Sequence, residues 1–450
     1  MVWVTVWVVA ILVYLAVWQR RIEGRRRERI VAEIREARAL GADRAVGQYP
    51  RVDPFRCIGC AVCVRACPEK GVLGMVNGVA CLVRPAGCVG HGACQDACPV
   101  GALSVDLHDL ASRPDIPRLT ADLETTIPGL YIAGELGGLA LIRHAIDQGA
   151  RAVGSIADKM NGTATPPGIA DVLVVGAGPS GLSATLKAIE RDLSYVTIDQ
   201  DDIGGTVRKY PRRKLALVQP VALPLDVRLR RREYVKEELI DIWERVIERH
   251  GVAIRSGVKL LGVARPNGHF ESQTTAGPIR SRAVVLALGR RGTPRKLGVP
   301  GEEHEKVLYQ LVDAAACRAE RHLVVGGGDS AIEAATALAE QPGNEVTLSY
   351  RRAGFFRLKA RNTERIRKYA ELGRVHVLLA SHVERIEPDR VHLRVEGDTP
   401  ASASRVSLPN DRVFVFAGGE PPFPLLKRIG IGFGAEPPAV GAEPPRRVPA

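Results

Sequence analysis

Two stretches of the chain share a pattern that limits the fold more than any other feature: an apolar strand, a glycine-rich turn and a helix. The first is DVLVVGAGPSGLSATLKAIERDLSYVTIDQD, from Asp171, and the second is RHLVVGGGDSAIEAATALAEQPGNEVTLSYRR, from Arg321. The turn positions are Gly176, Gly178, Gly181, Gly326, Gly328 and Ala331. Such a turn lets a pyrophosphate approach a helix N-terminus. The pattern predicts an α/β protein with two Rossmann-type dinucleotide-binding domains.

The two motifs end differently after their second strands. The first ends at Asp199, whose carboxylate suits the hydroxyls of a ribose. The second ends at Arg351 and Arg352, with Arg357 further on, and guanidinium groups suit a 2′-phosphate. The second motif is therefore predicted to bind NADPH in preference to NADH.

Eight of the nine cysteines lie between residues 57 and 98. The run CIGCAVCVRACP supplies Cys57, Cys60, Cys63 and Cys67, with the C-x2-C-x2-C-x3-C-P spacing of bacterial iron-sulfur loops. The run CVGHGACQDACP repeats the spacing with Cys88, Cys94 and Cys98, but His91 stands where the second cysteine is expected. This density of thiols beside nucleotide-binding turns predicts metal ligation rather than disulfides.

Residues 50–108 therefore resemble the two-cluster bacterial ferredoxin module. The resemblance implies that the first cluster takes Cys57, Cys60, Cys63 and Cys98, and that the second takes Cys67, Cys88, Cys94 and a further ligand. Three alternatives remain for that ligand: His91 binds iron, the corner is vacant in a three-iron cluster, or Cys81 substitutes. A neutral histidine in place of a thiolate would raise the reduction potential of the cluster.

The N-terminal stretch VWVTVWVVAILVYLAVW, residues 2–18, carries no charge and is followed by six arginines within residues 20–29. At about 1.5 Å per helical residue it is at the short end of what crosses a bilayer. Positive charge beside such a segment marks the cytoplasmic side. A cleaved signal peptide would need a basic start and a small-residue cleavage site, which this stretch lacks. We predict a single-pass cell-membrane anchor over residues 1–19, a helical stalk over 20–49, and a cytoplasmic location for the bulk of the protein.

Several further segments extend the nucleotide-binding pattern. IRSRAVVLALG is an apolar strand ending at Gly289, GGTVRKYP contains Gly205 and Thr206, and DRVFVFAGGEPPFPLL follows the second motif. Residues 118–433 together resemble the two-dinucleotide-binding-domain flavoproteins, most closely the thioredoxin-reductase-like branch. The resemblance implies FAD at the first turn, covered by Gly205 and Thr206, and NADPH at the second. The C-x-x-C of that branch is missing from the predicted nicotinamide domain, where Cys317 is alone, so dithiol chemistry is not expected.

The stretch TIPGLYIAGE resembles the closing strand of such a flavin domain, in which Gly134 and Glu135 would touch the cofactor. It precedes the first glycine turn instead of following the second. We interpret residues 118–160 as a circularly permuted closing segment, which would bring the ferredoxin module near the flavin. A swapped segment that completes a neighbouring subunit is the alternative.

The predicted order after the ferredoxin domain is the closing segment (118–160), the FAD domain (168–297), the NADPH domain (298–411), the return to the FAD domain (412–433) and a disordered tail (434–450). The sequence predicts a membrane-anchored oxidoreductase that moves electrons between NADPH, FAD and two iron-sulfur clusters, to or from a redox protein such as a ferredoxin or a membrane cytochrome. No catalytic side chain is expected, because the cofactors carry the chemistry.

Two other functions remain open: a reductase of low-molecular-weight disulfides, and a redox sensor or docking subunit with negligible turnover. The net charge of +13 suits an anionic membrane surface or an acidic protein partner. Nucleic acid is not an expected partner, and a homodimer is possible.

Overall fold

The computed structural model describes residues 2–39, 49–106, 116–138, 141–160, 162, 164–266, 268–290, 293–355, 358–397 and 403–434. The chain divides into two compact units. We call Met1–Leu107 with Pro294–Gly418 the cysteine unit, and His108–Thr293 with Gly419–Ala450 the seven-strand unit. The predicted disordered tail lies outside the described residues from residue 435 onward.

In the described residues the α-helices are α1 (Val2–Ala39), α2 (Val62–Ala66), α3 (Ala93–Asp96), α4 (Ile142–Met160), α5 (Pro179–Glu190), α6 (Lys236–Arg249), α7 (Asp329–Ala339), α8 (Ala360–Glu371) and α9 (Phe423–Ile429). Short 3-10 turns occupy Pro85–Gly87, Glu135–Gly137, Gly205–Val207 and Ala314–Ala316.

The strands of the described residues are β1 (Tyr49–Val52), β2 (Leu73–Val76), β3 (Val79–Leu82), β4 (Leu103–Asp106), β5 (Leu130–Ile132), β6 (Ala170–Val175), β7 (Tyr195–Ile198), β8 (Leu215–Leu217), β9 (Val221–Leu223), β10 (Val227–Leu229), β11 (Glu233–Val235), β12 (Ile254–Arg255), β13 (Leu260–Ala264), β14 (Phe270–Thr274) and β15 (Gly277–Leu286). They continue with β16 (Thr293–Pro294), β17 (Val307–Leu308), β18 (Arg321–Val325), β19 (Glu345–Ser349), β20 (Val375–Leu378), β21 (Ser381–Ile386), β22 (Arg390–Val395), β23 (Ser404–Pro409), β24 (Arg412–Val415) and β25 (Gly419–Glu420).

The seven-strand unit is built on a sheet of order β12-β7-β6-β15-β14-β13, with β5 also paired to β15. Strands β5 and β6 lie parallel to β15, and β14 lies antiparallel to it. The central strands read as continuous apolar runs, and Leu173, Val284 and Ile132 are fully buried. Parallel strands covered on both faces have this composition.

Residues of the proposed closing segment form part of this sheet and its helical layer. Strand β5 runs parallel to β15 in the register Val284↔Leu130, and α4 packs along α5. The start of the segment lies beside the last described residues of the chain: Arg118 N–H donates to Gly432 O at 2.9 Å, and Gly434 N–H donates to Ile116 O at 3.1 Å. Because these two ends are neighbours, a permutation at this point needs no long new connection.

The cysteine unit contains a parallel sheet of order β17-β24-β18-β19-β20 and a three-stranded antiparallel sheet of order β21-β22-β23. Strand β24 pairs with both β17 and β18, so Val413 and Phe414 are interior residues of this sheet. The structure therefore differs from the predicted boundary at residue 412. The return to the seven-strand unit begins at Gly419.

Residues 2–39 form one continuous helix rather than a separate anchor and stalk. The second half of α1 packs on the β2-β3 hairpin: Ala37 is 1% exposed, Ile30 approaches Gly74, and Glu36 pairs with Arg84 at 3.0 Å. In the first half, large apolar side chains such as Trp7 are exposed. Within the described residues, no helix is both long and apolar enough to cross a membrane.

Candidate functional site

The first set of cysteines lines one small cavity in the cysteine unit. The cysteines that line it are Cys57, Cys60, Cys63 and Cys98. Backbone N–H groups point at the sulfurs: Ala102 donates to Cys98 Sγ at 3.2 Å, and Ala80 donates to Cys57 Sγ at 3.5 Å. Four thiols around an otherwise apolar cavity, with N–H donors to sulfur, suit a four-iron cluster.

Cys98 reaches this cavity from the second cysteine run. It follows α3, so the fold rather than the spacing joins it to the first run. Burial alone would raise the pKa of Cys98, but backbone N–H groups of residues 100–103 hold that pKa below its usual value. These donors favour the thiolate, the form that binds metals.

The second set comprises Cys67, Cys88 and Cys94. Burial, followed by the charges of Cys67 and Cys88, raises the pKa of the Cys94 thiol to about 11. Burial likewise raises the pKa of Cys67 and Cys88. As thiolates these three groups would repel one another, so a bound cation would favour their deprotonation. This donor set fits iron.

His91 lies with the second set and is 8% exposed. Its Nε2 is 3.9 Å from Cys67 Sγ, and its Nδ1 accepts a hydrogen bond from Ala93 N–H at 3.0 Å. A neutral imidazole that accepts at Nδ1 carries its proton on Nε2. In this geometry His91 is a hydrogen-bond donor toward Cys67, whereas a metal-ligating histidine generally donates through its second nitrogen to a protein group. Iron ligation by His91 stays a prediction.

Cys81 lies on a different face of the β2-β3 hairpin from the first cavity. It pairs with Gly74, and a Cβ at Gly74 would lie 3.3 Å from Ile30 of α1. The neighbouring Ala80 lines the first cavity. Because side chains alternate along a strand, the Cys81 thiol faces α1.

The ferredoxin module contacts the second Rossmann domain within the cysteine unit. Lys359 Nζ lies 3.7 Å from Glu69 Oε1. Burial, and secondarily the charge of Asp329, raises the pKa of Glu69, while Lys359 opposes both effects. Glu69 follows Cys67 by two residues, and Asp329 opens α7. The second cysteine set therefore lies close in sequence to a contact with the second glycine turn. The predicted approach of the module to the flavin segment stays a prediction.

The first glycine turn joins β6 to α5 in the seven-strand unit. A Cβ at Gly181 would lie 1.6 Å from Gly176 O, so only glycine permits this packing of helix on turn. Helix α5 begins after Gly178 with Pro179, and no side chain caps it. Its first-turn N–H groups are available for an anion. The turn fits the pyrophosphate of a dinucleotide.

Two residues beside this turn escaped the sequence analysis. Ser180 Oγ is buried in the first turn of α5 and has no hydrogen-bond partner among the described residues. Gln148 of α4 is 6% exposed and accepts the Gly134 N–H at 2.7 Å. Ser180 stands within the GPSG motif, which offered a signal, whereas nothing in the sequence marked Gln148.

The other predicted FAD residues lie around the same turn. Asp199 is 8% exposed, and burial raises its pKa. Its Oδ2 accepts the Ala177 N–H at 2.6 Å, so it also holds the turn itself. A Cβ at Gly205 would lie 3.1 Å from Gly178. The residues completing this group are Thr206 next to Gly205, Glu135 next to Gly134, and Gly289 just after β15.

The second glycine turn joins β18 to α7 in the cysteine unit. Gly328 precedes α7, which has no side-chain cap, and Ala331 is fully buried against Gly326. Tyr350 covers Gly327 and stacks on Phe355 at 5.5 Å. The helix start again fits a pyrophosphate.

Arg351 and Arg352 follow the carboxyl end of β19 and are exposed. Ligands of α/β sheets bind at this edge, so the two side chains are placed to meet a phosphate on the ribose. Arg357 lies outside the described residues.

Comparison with known proteins agrees with this arrangement. The model of the pyridine nucleotide-disulphide oxidoreductase family matches residues 173–438, and that of a 4Fe-4S dicluster domain matches residues 49–99. Residues 118–160 lie outside both matched ranges.

Relatives and solved structures point the same way. The ferredoxin–NADP reductase of Ignicoccus hospitalis is 27% identical over 264 residues, which cover 58% of this chain and 81% of that protein. The ferredoxin–NADP reductase of Thermus thermophilus is 31% identical over 255 residues, which cover 55% and 72%. The structure of bacillithiol disulfide reductase from Staphylococcus aureus has a TM-score of 0.51 at 22% identity, covers 58% of this chain and 80% of that chain, and shows the fold. The chain belongs to the pyridine nucleotide-disulphide oxidoreductase family, is a pyridine-nucleotide flavin oxidoreductase, and carries a 4Fe-4S dicluster domain in addition.

Proposed function

We propose that this protein passes electrons between NADPH and a redox protein through FAD and two iron-sulfur clusters. The observation that carries the proposal is the set of four cysteines around one cavity, in the same chain as two uncapped nucleotide-binding helices. Reduction of a small disulfide by NADPH through FAD does not need such a cavity. Similarity to proteins named ferredoxin–NADP reductase supports the same reading.

The seven-strand unit would hold FAD through the turn Gly176–Gly181. The first-turn N–H groups of α5 and the Ser180 hydroxyl would face the pyrophosphate. Asp199 would accept from the ribose while it keeps its hydrogen bond from Ala177. Gly134, fixed by Gln148, and Gly205 would leave the backbone open to the cofactor.

The cysteine unit would hold NADPH at the start of α7. Arg351 and Arg352 would bind the 2′-phosphate, which NADH lacks. When bound, the nicotinamide, flavin and clusters would supply hydride and single-electron transfer. The protein positions these groups and supplies no side-chain acid or base.

The cluster ligands would be the two cysteine sets described above. Cys98 of the second sequence run would bind the first cluster, and Cys67 of the first run would bind the second cluster. His91 would complete the second site as a neutral iron ligand through Nε2 once its proton moves to Nδ1 and the hydrogen bond from Ala93 is lost, or would leave a vacant corner while it donates to Cys67. The same residues would bind the cofactors whichever way electrons flow. The direction would therefore depend on the reduction potential of the redox partner.

The partner would be an acidic redox protein, either a ferredoxin or a membrane cytochrome, and the net charge of +13 supports this choice. Attachment of residues 1–19 to the cytoplasmic face of the cell membrane is a further proposal, supported by the exposed apolar side chains of α1 and the arginines that follow them. Separation of cell membranes from cytosol, with a variant that lacks residues 1–19, tests it. Sedimentation of the purified protein tests the possible homodimer.

The central test is an anaerobic titration of the purified protein with NADPH, followed by low-temperature EPR. We expect cluster signals to appear as the flavin absorbance bleaches. Cys98→Ser removes one ligand of the first cavity and should abolish that cluster's signal, whereas Cys81→Ser, on the α1 face, should leave both signals unchanged.

Reduction of the flavin with silent clusters that dithionite can still reduce would refute the electron path. NADPH oxidation driven by a small disulfide would then identify a disulfide reductase. Negligible turnover with every acceptor would identify a sensor or docking subunit.

A further inference from the structure

Three side chains of metal-ligating type meet in the cysteine unit, away from both cysteine sets. Cys317 follows the 3-10 turn Ala314–Ala316, Glu320 precedes β18, and His322 is the second residue of β18. One ligand atom from each, the thiol sulfur, a carboxylate oxygen and a ring nitrogen, lie within 4.8 Å of one another. Neither the nucleotide-binding turns nor the cluster module uses these side chains.

His322 is an unpartnered polar group in this cluster. It is 2% exposed, and neither ring nitrogen has a hydrogen-bond partner among the described residues. Glu320 lies beside it, with Oε2 at 3.7 Å from Nε2. A buried imidazole without a partner is costly unless another species satisfies it.

The surrounding residues hold the cluster in place. Asn344 donates to Cys317 O at 2.9 Å and accepts the Glu320 N–H at 3.1 Å. Arg412 donates from Nη2 to Glu320 Oε1 at 3.0 Å, and its Nε forms an ion pair with Oε2 at 2.9 Å. Metal-ligating carboxylates are generally oriented by such outer hydrogen bonds.

We propose that Cys317, Glu320 and His322 bind one divalent transition metal of the zinc type. A thiolate, an imidazole and a carboxylate form a ligand set that Zn²⁺ takes, with a fourth position left for water. Magnesium and calcium prefer oxygen ligands alone. Binding replaces the proton of the Cys317 thiol, which passes to solvent.

The partly exposed side of Glu320 gives the metal access to the site, since its side chain is 24% exposed. His322 lies four residues before Gly326 on the strand that carries the second nucleotide-binding turn, and its ring contacts Phe414 of β24 at 5.8 Å between centroids. The bound metal would join the loop before β18 to that strand.

The test uses the purified, cluster-loaded protein. It is freed of loosely bound metal with a chelator and equilibrated with zinc chloride, and zinc and iron per chain are then measured by mass spectrometry. We expect one zinc per chain in addition to the iron. Affinity is measured by competition with a chromophoric chelator.

Two ligand variants and one control decide the outcome. His322→Gln and Cys317→Ser should weaken zinc binding at least tenfold without changing iron or flavin content, because each removes one of three ligands. His376→Gln, which changes an exposed histidine on β20 of the same sheet, should bind zinc as the wild type does. Excess zinc should also raise the melting temperature of the wild type but not that of His322→Gln.

Equal affinity of the wild type and His322→Gln would overturn the proposal. So would a wild-type protein that retains no zinc after equilibration. Both results are independent of electron transfer, so they leave the proposed function untouched.

Discussion

Substitution of Gly149 tests the packing of the proposed closing segment, residues 118–160. Gly149 lies on α4, where that helix crosses α5. A Cβ at this position would lie 2.0 Å from Ser180 O and 3.0 Å from Ala184 N. Because a carbon-oxygen contact needs about 3.3 Å, Gly149→Ala forces α4 away from α5 by about 1.3 Å.

The expected magnitude follows from this displacement. Overpacking of a close contact costs about 1–3 kcal/mol, part of which the better helix propensity of alanine offsets. Gly154→Ala is the matched control on the same helix, because its nearest neighbour would be Lys187 Cε at 3.9 Å. That change should stabilise the protein by about 0.5–1 kcal/mol. The two variants should therefore differ by about 1–3 kcal/mol in unfolding free energy.

The assay is thermal unfolding followed by the fluorescence of released flavin. For a unit of this size each kcal/mol shifts the melting temperature by about 2–4 °C, so Gly149→Ala should melt several degrees below Gly154→Ala. If the two variants melt together, α4 does not lie against α5. The interpretation of residues 118–160 as the closing segment would then fail.

Three further predictions concern single side chains. Arg351→Ala and Arg352→Ala should each raise KM for NADPH about tenfold with little change for NADH, because each removes a charge-assisted contact with the 2′-phosphate; equal effects on both nucleotides in steady-state kinetics would contradict this role. His91→Cys should lower the reduction potential of the second cluster in an EPR redox titration, since it adds an anionic ligand; an unchanged potential would exclude His91 from that cluster's surroundings. The hydrogen bonds from Arg321 hold the pKa of Asp411 at about 2, against 3.8 for the free side chain. The stabilisation is therefore complete above pH 4 and is lost as the pH falls through 2; Asp411→Asn should cost under about 1 kcal/mol at pH 7 in urea unfolding, and a difference that persists at pH 2 would refute the assignment.

Features that depend on consecutive residues could be predicted from the sequence. The glycine turns need a strand before them, a helix after them and no side chain at fixed positions, and the structure places Gly176, Gly181 and Gly326 in such turns. The cysteine spacing C-x2-C-x2-C likewise places three thiols on one loop. In both cases the structural requirement concerns residues close together in the chain, so it can be predicted from the sequence.

Other features depend on residues that meet only after folding. Strand β24 was predicted to lie in the return to the FAD domain, but its backbone pairs with β17 and β18. The structure therefore places the boundary at Gly419 rather than at residue 412. The second half of α1 was predicted as a stalk, but its apolar side chains, which include Ile30 and Ala37, pack on the β2-β3 hairpin. The sequence shows that these side chains exist but not what covers them.

The chemistry of the sites divides in the same way. The positions of the cysteines and of His91 were visible in the sequence, but the tautomer of His91 depends on the Ala93 N–H that its ring accepts. The cluster of Cys317, Glu320 and His322 also appears only in the structure, because Asn344 and Arg412, distant in sequence, hold its loop. The sequence by itself determined which groups are present and which turns can form. Only the tertiary structure decided which of those groups lie within bonding distance, because burial and hydrogen-bond partners arise from contacts between segments far apart in the chain.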